Sequence, residues 1–152
     1  MIRKYGGALA LLLAACTNGG IPTSSNSGGG GVTIDLSLSQ FGPQQTPYGQ
    51  AGAISPIVTT VSVGTQLHFT NIDNFCCHTA TLIPSATTFP SGSPFTQKAT
   101  QQSGSTLSGG FSSGALQPSA SSQTITADQP GTYLYGCFFH YAAPMRAAIV
   151  VQ

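Results

Sequence analysis

Near its C-terminus the chain places Cys137, His140 and Met145 within ten residues, GCFFHYAAPM (136–145). A thiolate, an imidazole and a thioether are soft or borderline donors, and together they select a soft or borderline metal ion. The Cys-x2-His-x4-Met spacing lets a tight loop between two strands aim the first two donors at one centre. The third then returns from the far side of the same loop. One thiolate with two imidazoles and a long, weak thioether is a copper site, so one imidazole must come from elsewhere. Besides His140 the chain offers His68 and His78. In TQLHFTN (65–71), His68 alternates with Leu67 and Phe69 and so points away from the core. His78 follows the turn NIDNFCC (71–77) and opens the next run, where a strand end can meet the C-terminal loop. His78 is therefore the favoured ligand over His68, with one metal ion per chain.

The elements that must position these residues all read as strands. VTIDLSLS (32–39) alternates Val, Ile, Leu, Leu against Thr, Asp, Ser, Ser, the pattern of a half-buried strand. PIVTTVSVGTQLHFTNID (56–73) gives a strand, a turn at Val63-Gly64 and a second strand with Leu67 and Phe69 on one face. HTATLI (78–83), SQTITA (122–127), GTYLYGC (131–137) and RAAIVVQ (146–152) are further runs, with DQPG (128–131) as a turn. Several short strands with turn signals and no long helical pattern in the mature chain predict an all-β sandwich or barrel. Residues 84–123, rich in Ser, Thr, Gly and Gln, are expected to be largely exposed loop, with room for a short strand or small helix around PFTQKATQQ (94–102).

The 152 residues suit one domain. Only 5% are charged, against about a quarter in ordinary domains, so Ser, Thr, Gln, Gly and Asn must cover the surface. No basic stripe exists for a nucleic acid. With 40% hydrophobic residues and strand periodicity, the chain does not read as disordered.

The N-terminus reads as a targeting segment. Arg3 and Lys4 precede the apolar run ALALLLAA (8–15), too short to span a bilayer. The run ends in LAAC (13–16), which resembles the lipobox of bacterial lipoproteins and implies a lipidated Cys16 as the mature N-terminus. Thr17, where an inner-membrane retention signal has Asp, points to the outer membrane in a cell with two. TNGGIPTSSNSGGGG (17–31) reads as a Gly/Ser tether. The expected organisation is a signal peptide over 1–15, lipidated cysteine and tether over 16–31, and one domain over 32–152. The protein is thus expected to be exported and anchored on the periplasmic or extracellular face of the cell envelope.

Beyond the spacing itself, GTYLYGCFFHYAAPMRAAIVVQ (131–152) resembles the last two strands and ligand loop of cupredoxins of the plastocyanin and azurin group. ISPIVTTVSVGTQLHFTNIDNFCCHTATL (54–82) is similar to their first ligand region, with Thr65 where Asp is common, Phe69 for Trp and Cys77 for Pro. The likeness spans most of 54–152, interrupted at 84–110. It implies a Greek-key β-sandwich, one copper, and one-electron transfer to redox partner proteins such as a cytochrome or an oxidase. It implies His78, Cys137 and His140 as equatorial ligands and Met145 as axial ligand. His140 then becomes the electron's exit, inside an apolar rim that includes Phe139, Tyr141 and Pro144. A monomer is expected.

Cys76 and Cys77 depart from the family pattern. In an exported protein they can bond to each other, pair with another chain, stay reduced, or compete for copper beside His78. That last option belongs to the alternative function, a copper-storage or copper-delivery lipoprotein outside any redox circuit. A copper oxidase would need more ligands, such as His-x-His pairs, and three histidines do not supply them; no enzyme is expected.

Overall fold

The computed structural model describes residues 31–152 in full and the backbone of 23–26. The expectations for Cys16, the signal peptide and most of the Gly/Ser stretch lie outside the described residues. In chain order the strands are β1 (Thr23–Asn26), β2 (Val32–Leu36), β3 (Gln44–Thr46), β4 (Gly49–Ala51), β5 (Ile54–Ser55), β6 (Val58–Val61) and β7 (Gln66–Asn71). Then follow β8 (Thr81–Leu82), β9 (Gln102–Ser103), β10 (Ser112–Ser113), β11 (Ile125–Thr126), β12 (Gly131–Gly136) and β13 (Arg146–Val151). One 3-10 turn of helix, Gln97–Thr100, lies before β9.

Two sheets form, in the orders β1-β6-β13-β12-β8-β10-β9 and β11-β7-β2-β5, with β3-β4 as a separate hairpin. Their inner faces share one core. Ile34 and Leu36 of β2, Leu67 and Phe69 of β7 and Ile125 of β11 meet Tyr135 of β12 and Ala147 and Ile149 of β13. The Phe69 ring stacks on Phe111 at 5.4 Å and tilts against Tyr135 at 5.2 Å. The all-β sandwich read from the alternation is what forms, because period-2 runs can bury one face only against a second sheet. On β7 the alternation resolves as expected: Leu67 and Phe69 are fully buried and His68 is half-exposed.

Two strand boundaries differ from the sequence reading for local reasons. β2 ends at Leu36, not 39, because Ser37 and Ser39 turn their hydroxyls to Asp73. The run 78–83 pairs as a strand only at Thr81–Leu82, since His78 bridges to Leu116 and the Thr79 N–H is spent on Cys137. Within the stretch read as a tether, Thr23–Asn26 pairs in parallel with β6. The polar segment 84–123 does contain the expected short elements, closed by glycine. A Cβ at Gly104 (φ +68°) would lie 2.0 Å from the Gly110 carbonyl oxygen, so only glycine allows that approach.

Candidate metal centre

The β12–β13 hairpin supplies one half of the site. Its full ladder runs from Gly131↔Val151 to Gly136↔Arg146, and the Cys137 N–H extends it to the Met145 carbonyl at 2.9 Å. Cys137 therefore leaves the last rung with its sulfur fully buried. The loop beyond is tied to itself: the N–H groups of Ala143 and Met145 both donate to the His140 carbonyl, at 2.9 and 3.2 Å.

The turn after β7 supplies the other half. Asn71, buried at the end of the strand, accepts the Asp73 N–H on its side-chain oxygen and donates its amide to Leu116 and Phe75 carbonyls. His78 is pinned to the same Leu116 by a pair of backbone hydrogen bonds of 3.2 and 2.8 Å. Two histidines and a cysteine from these distant segments converge. The ligand atoms of His78, Cys137 and His140 all lie within 4.8 Å of one another. His78 Nδ1 is 3.2 Å from His140 Nδ1, and Cys137 Sγ is 3.6 Å from His140 Nδ1.

This triangle fits a single metal ion. Metal–nitrogen bonds of about 2.0–2.1 Å and a metal–thiolate bond of about 2.3 Å, at angles near 109–120°, put donors roughly 3.3–3.8 Å apart. The 3.6 Å edge lies inside that range, the 3.2 Å edge just below it, and the third edge is within 4.8 Å, so His78, Cys137 and His140 form a group that can hold one ion. His68, on β7 opposite Thr33, is not among them. Met145 is fully buried where the loop closes. Cys76 and Cys77 are joined to each other as a vicinal disulfide, so neither thiol competes for the centre in this state.

Sequence reading missed Asp73. Among the described residues it is the one buried carboxylate. Ser37 and Ser39 donate their hydroxyls to its Oδ1 at 2.6 and 2.5 Å, and the Leu38 N–H reaches Oδ2 at 2.8 Å. His78 Nε2 is 2.8 Å from the same Oδ2. A carboxylate only accepts, so Nε2 carries the proton and Nδ1 presents its bare lone pair to the centre. Burial alone would push the Asp73 carboxyl up, but the hydrogen bonds from Ser37, Ser39, His78 and Leu38 outweigh it and hold it well below the usual carboxylate range. The available signal was a single acidic residue five positions before His78 in a chain with only three carboxylates.

Thr79, next to His78 in the chain, serves the sulfur. Its N–H donates to Cys137 Sγ at 3.3 Å, and its hydroxyl accepts the Phe138 N–H at 2.8 Å. Burial pushes the Cys137 thiol up, partly offset by this N–H and others in the loop. A bound cation would displace that proton. His140 is pushed down by burial first, then by the neighbouring His78, with Asp73 opposing.

Exposure corrects the rim. Phe139 is 44% exposed beside His140, and Phe75, in the turn after β7 with its ring edge-on to His78, is 39% exposed. Pro144 is half-buried. Tyr141, expected in the rim, is turned inward: it is 3% exposed, its hydroxyl donates to the Pro90 carbonyl at 3.0 Å, and Arg146 stacks over its ring at 4.8 Å. A surface depression of about 460 Å³ between Phe95, Lys98 and Phe111 shares no residue with the donor group.

No protein-family model and no curated protein matches the chain. Solved structures do resemble it. A purple cupredoxin from Nitrosopumilus maritimus has 18% sequence identity, with 79% of this chain and 98% of that one covered, at a TM-score of 0.48. Dithionite-reduced auracyanin from the photosynthetic bacterium Roseiflexus castenholzii has 18% identity over 84% of this chain and 99% of its own, at 0.49. A Cu(I) amicyanin variant has 13% identity over 80% and 82%, at 0.45. At such identities the roles of individual residues rest on the donor geometry of this chain itself.

Proposed function

We propose that this protein is a mononuclear type 1 copper protein, a one-electron carrier held at the cell envelope by a lipidated Cys16. The observation that carries the reading is the donor triangle, with its 3.2 and 3.6 Å edges built from two imidazoles and a thiolate. Copper bound there would supply one-electron exchange between Cu(I) and Cu(II). The chain does the rest. His78 and Cys137 are fully buried and held by hydrogen bonds, which favours retaining an ion over handing it on. That sets the carrier above the alternative of copper storage or delivery. Met145, buried where the loop closes, would be a weak fourth donor to that copper, and His140, the half-buried donor, would be the route to the surface. Phe139, Phe75 and Pro144 form an apolar rim around it, suited to a small, brief contact with a cytochrome or oxidase.

Copper titration of the protein with optical and spin-resonance detection tests this. One copper per chain with an intense thiolate-to-copper band is expected; Cys137→Ser and His78→Ala should abolish the band while His68→Ala retains it. Colour surviving in Cys137→Ser, or lost only in His68→Ala, overturns the assignment. The tether is tested separately by the mass of the mature protein from its native membrane, where an unmodified N-terminus at any other residue refutes acylation.

A further inference from the structure

We infer that Asp73 is a positioning residue that sets the reduction potential of the centre through His78. The inference rests on the copper reading above and deepens it. Asp73 sits behind the ligand, not beside the metal. Its Oδ2 is 2.8 Å from His78 Nε2, on the opposite edge of the ring from the Nδ1 that faces His140 and Cys137. The pair is closed to water, with both side chains fully buried.

Two consequences follow from this placement. First, a buried acceptor on Nε2 forbids the other tautomer, so the lone pair at Nδ1 is aimed at the metal before any metal arrives. Second, a carboxylate one ring away makes the imidazole a stronger donor and favours the more positive of two metal states. Asp73 thus lowers the potential relative to a neutral acceptor. Ser37 and Ser39 act in the opposite sense. Their hydroxyls both fall on Oδ1 and draw off part of the charge that His78 would otherwise feel. They also belong to the chain just past β2, so the strand end, the carboxylate and the ligand form one connected unit.

The variants separate charge from shape. In Asp73→Asn the amide can keep its oxygen toward Leu38 and His78 and its nitrogen toward the two serines, since hydroxyls also accept. The site keeps its form and loses its charge. Copper binding and the visible band should persist and the potential should rise, by about 60 mV for each tenfold change in the ratio of Cu(II) to Cu(I) affinity. The double variant Ser37→Ala with Ser39→Ala leaves the carboxylate less neutralised, and the potential should fall. Asp73→Ala removes the acceptor altogether, and copper affinity should drop ~10–100-fold.

Opposite signs for the asparagine and double-alanine variants are the decisive result. Shifts of the same sign, or an unmoved potential with only a loss of thermal stability, would show that Asp73 merely ties β2 to the turn and overturn the inference. A second measurement needs no metal. In nitrogen-resolved NMR of the metal-free protein, His78 should be the Nε2–H tautomer, with a low-field, slowly exchanging proton that moves upfield in Asp73→Asn. Finding the Nδ1–H tautomer there overturns the inference even if the copper spectrum is as proposed. An Nε2–H signal that responds to Asp73, in a protein that takes up no copper, sinks the carrier reading and leaves the positioning role standing.

Discussion

At the scale of the residue, the chain places polar groups in its interior with different degrees of support. Asp73, Asn71, His78 and Thr79 are buried and each is satisfied by named partners. Tyr135 is the contrast. It is fully buried between Phe69 and Phe111, and its hydroxyl has no partner among the described residues. Burial pushes its phenol well above the ordinary value. A buried hydroxyl without a partner costs about 1–3 kcal/mol relative to a satisfied one, while phenylalanine keeps the ring. Tyr135→Phe is therefore expected to leave the protein as stable or more so, by up to about 1 kcal/mol, in thermal or urea unfolding. A clear loss of stability would show that the hydroxyl has a partner.

At the scale of the element, the ligand loop is supported from beneath by the segment before the 3-10 helix. Tyr141 and Arg146 both reach the Pro90 carbonyl, and Arg146 lies between the Phe89 and Tyr141 rings, 5.4 and 4.8 Å from their centroids. Two neighbours in one loop therefore have different jobs. Phe139→Asp adds a charge at an exposed site; it should leave the fold intact and, on the carrier function proposed above, slow electron exchange with a partner roughly tenfold, because a small apolar contact cannot repay desolvating a charge. Tyr141→Asp buries an unpaired charge and should destabilise the protein by about 3 kcal/mol or more. Denaturation curves and stopped-flow rates on the two variants check the division. Equal stability of both would mean that Tyr141 is at the surface after all.

At the scale of the whole molecule, sparse charge shapes the response to pH. The three carboxylates include two held below their ordinary range. Asp128 is lowered by hydrogen bonds from the Ser108 hydroxyl and N–H, and Asp73 by the network already described. Such groups supply stability that is present above their unfolded value of about 3.9 and lost only as pH falls through the lower folded values. His140 acts earlier in the metal-free protein. Its neutral form is favoured in the fold, so the unfolded chain takes up a proton first, near pH 6.5, and stability declines from there down to the folded value. Melting temperature against pH should show a modest decline beginning near 6.5, absent in His140→Gln, and a separate loss below about 3.8, reduced in Asp128→Asn. A single carboxylate-driven collapse above pH 4.5 would contradict this.

Much of this protein was legible in its sequence because the informative features are local. Alternation at β2 and β7 depends only on neighbours in the chain, and so specifies which face of each strand is buried, whereas β12 and β13 are buried on both faces, Leu134 and Ala148 in one cluster and Tyr135 and Ile149 in the other. The Cys137, His140 and Met145 spacing is equally local, since one hairpin loop carries all three. His78 could be favoured over His68 because alternation around Leu67 and Phe69 turns His68 outward. What the sequence could not decide depends on segments far apart in the chain. Asp73 meets Ser37 and Ser39 across 36 and 34 residues, and no periodicity relates them. Thr79 reaches Cys137 across 58 residues, so its service to the sulfur could not be seen beside His78. Tyr141 looks like a rim residue in a loop of exposed neighbours; only the Pro90 carbonyl, 51 residues away, pulls it inward. Periodicity reports which side of a strand faces the core, but hydrogen-bond partners for buried polar groups are chosen by whichever segments the sandwich brings together.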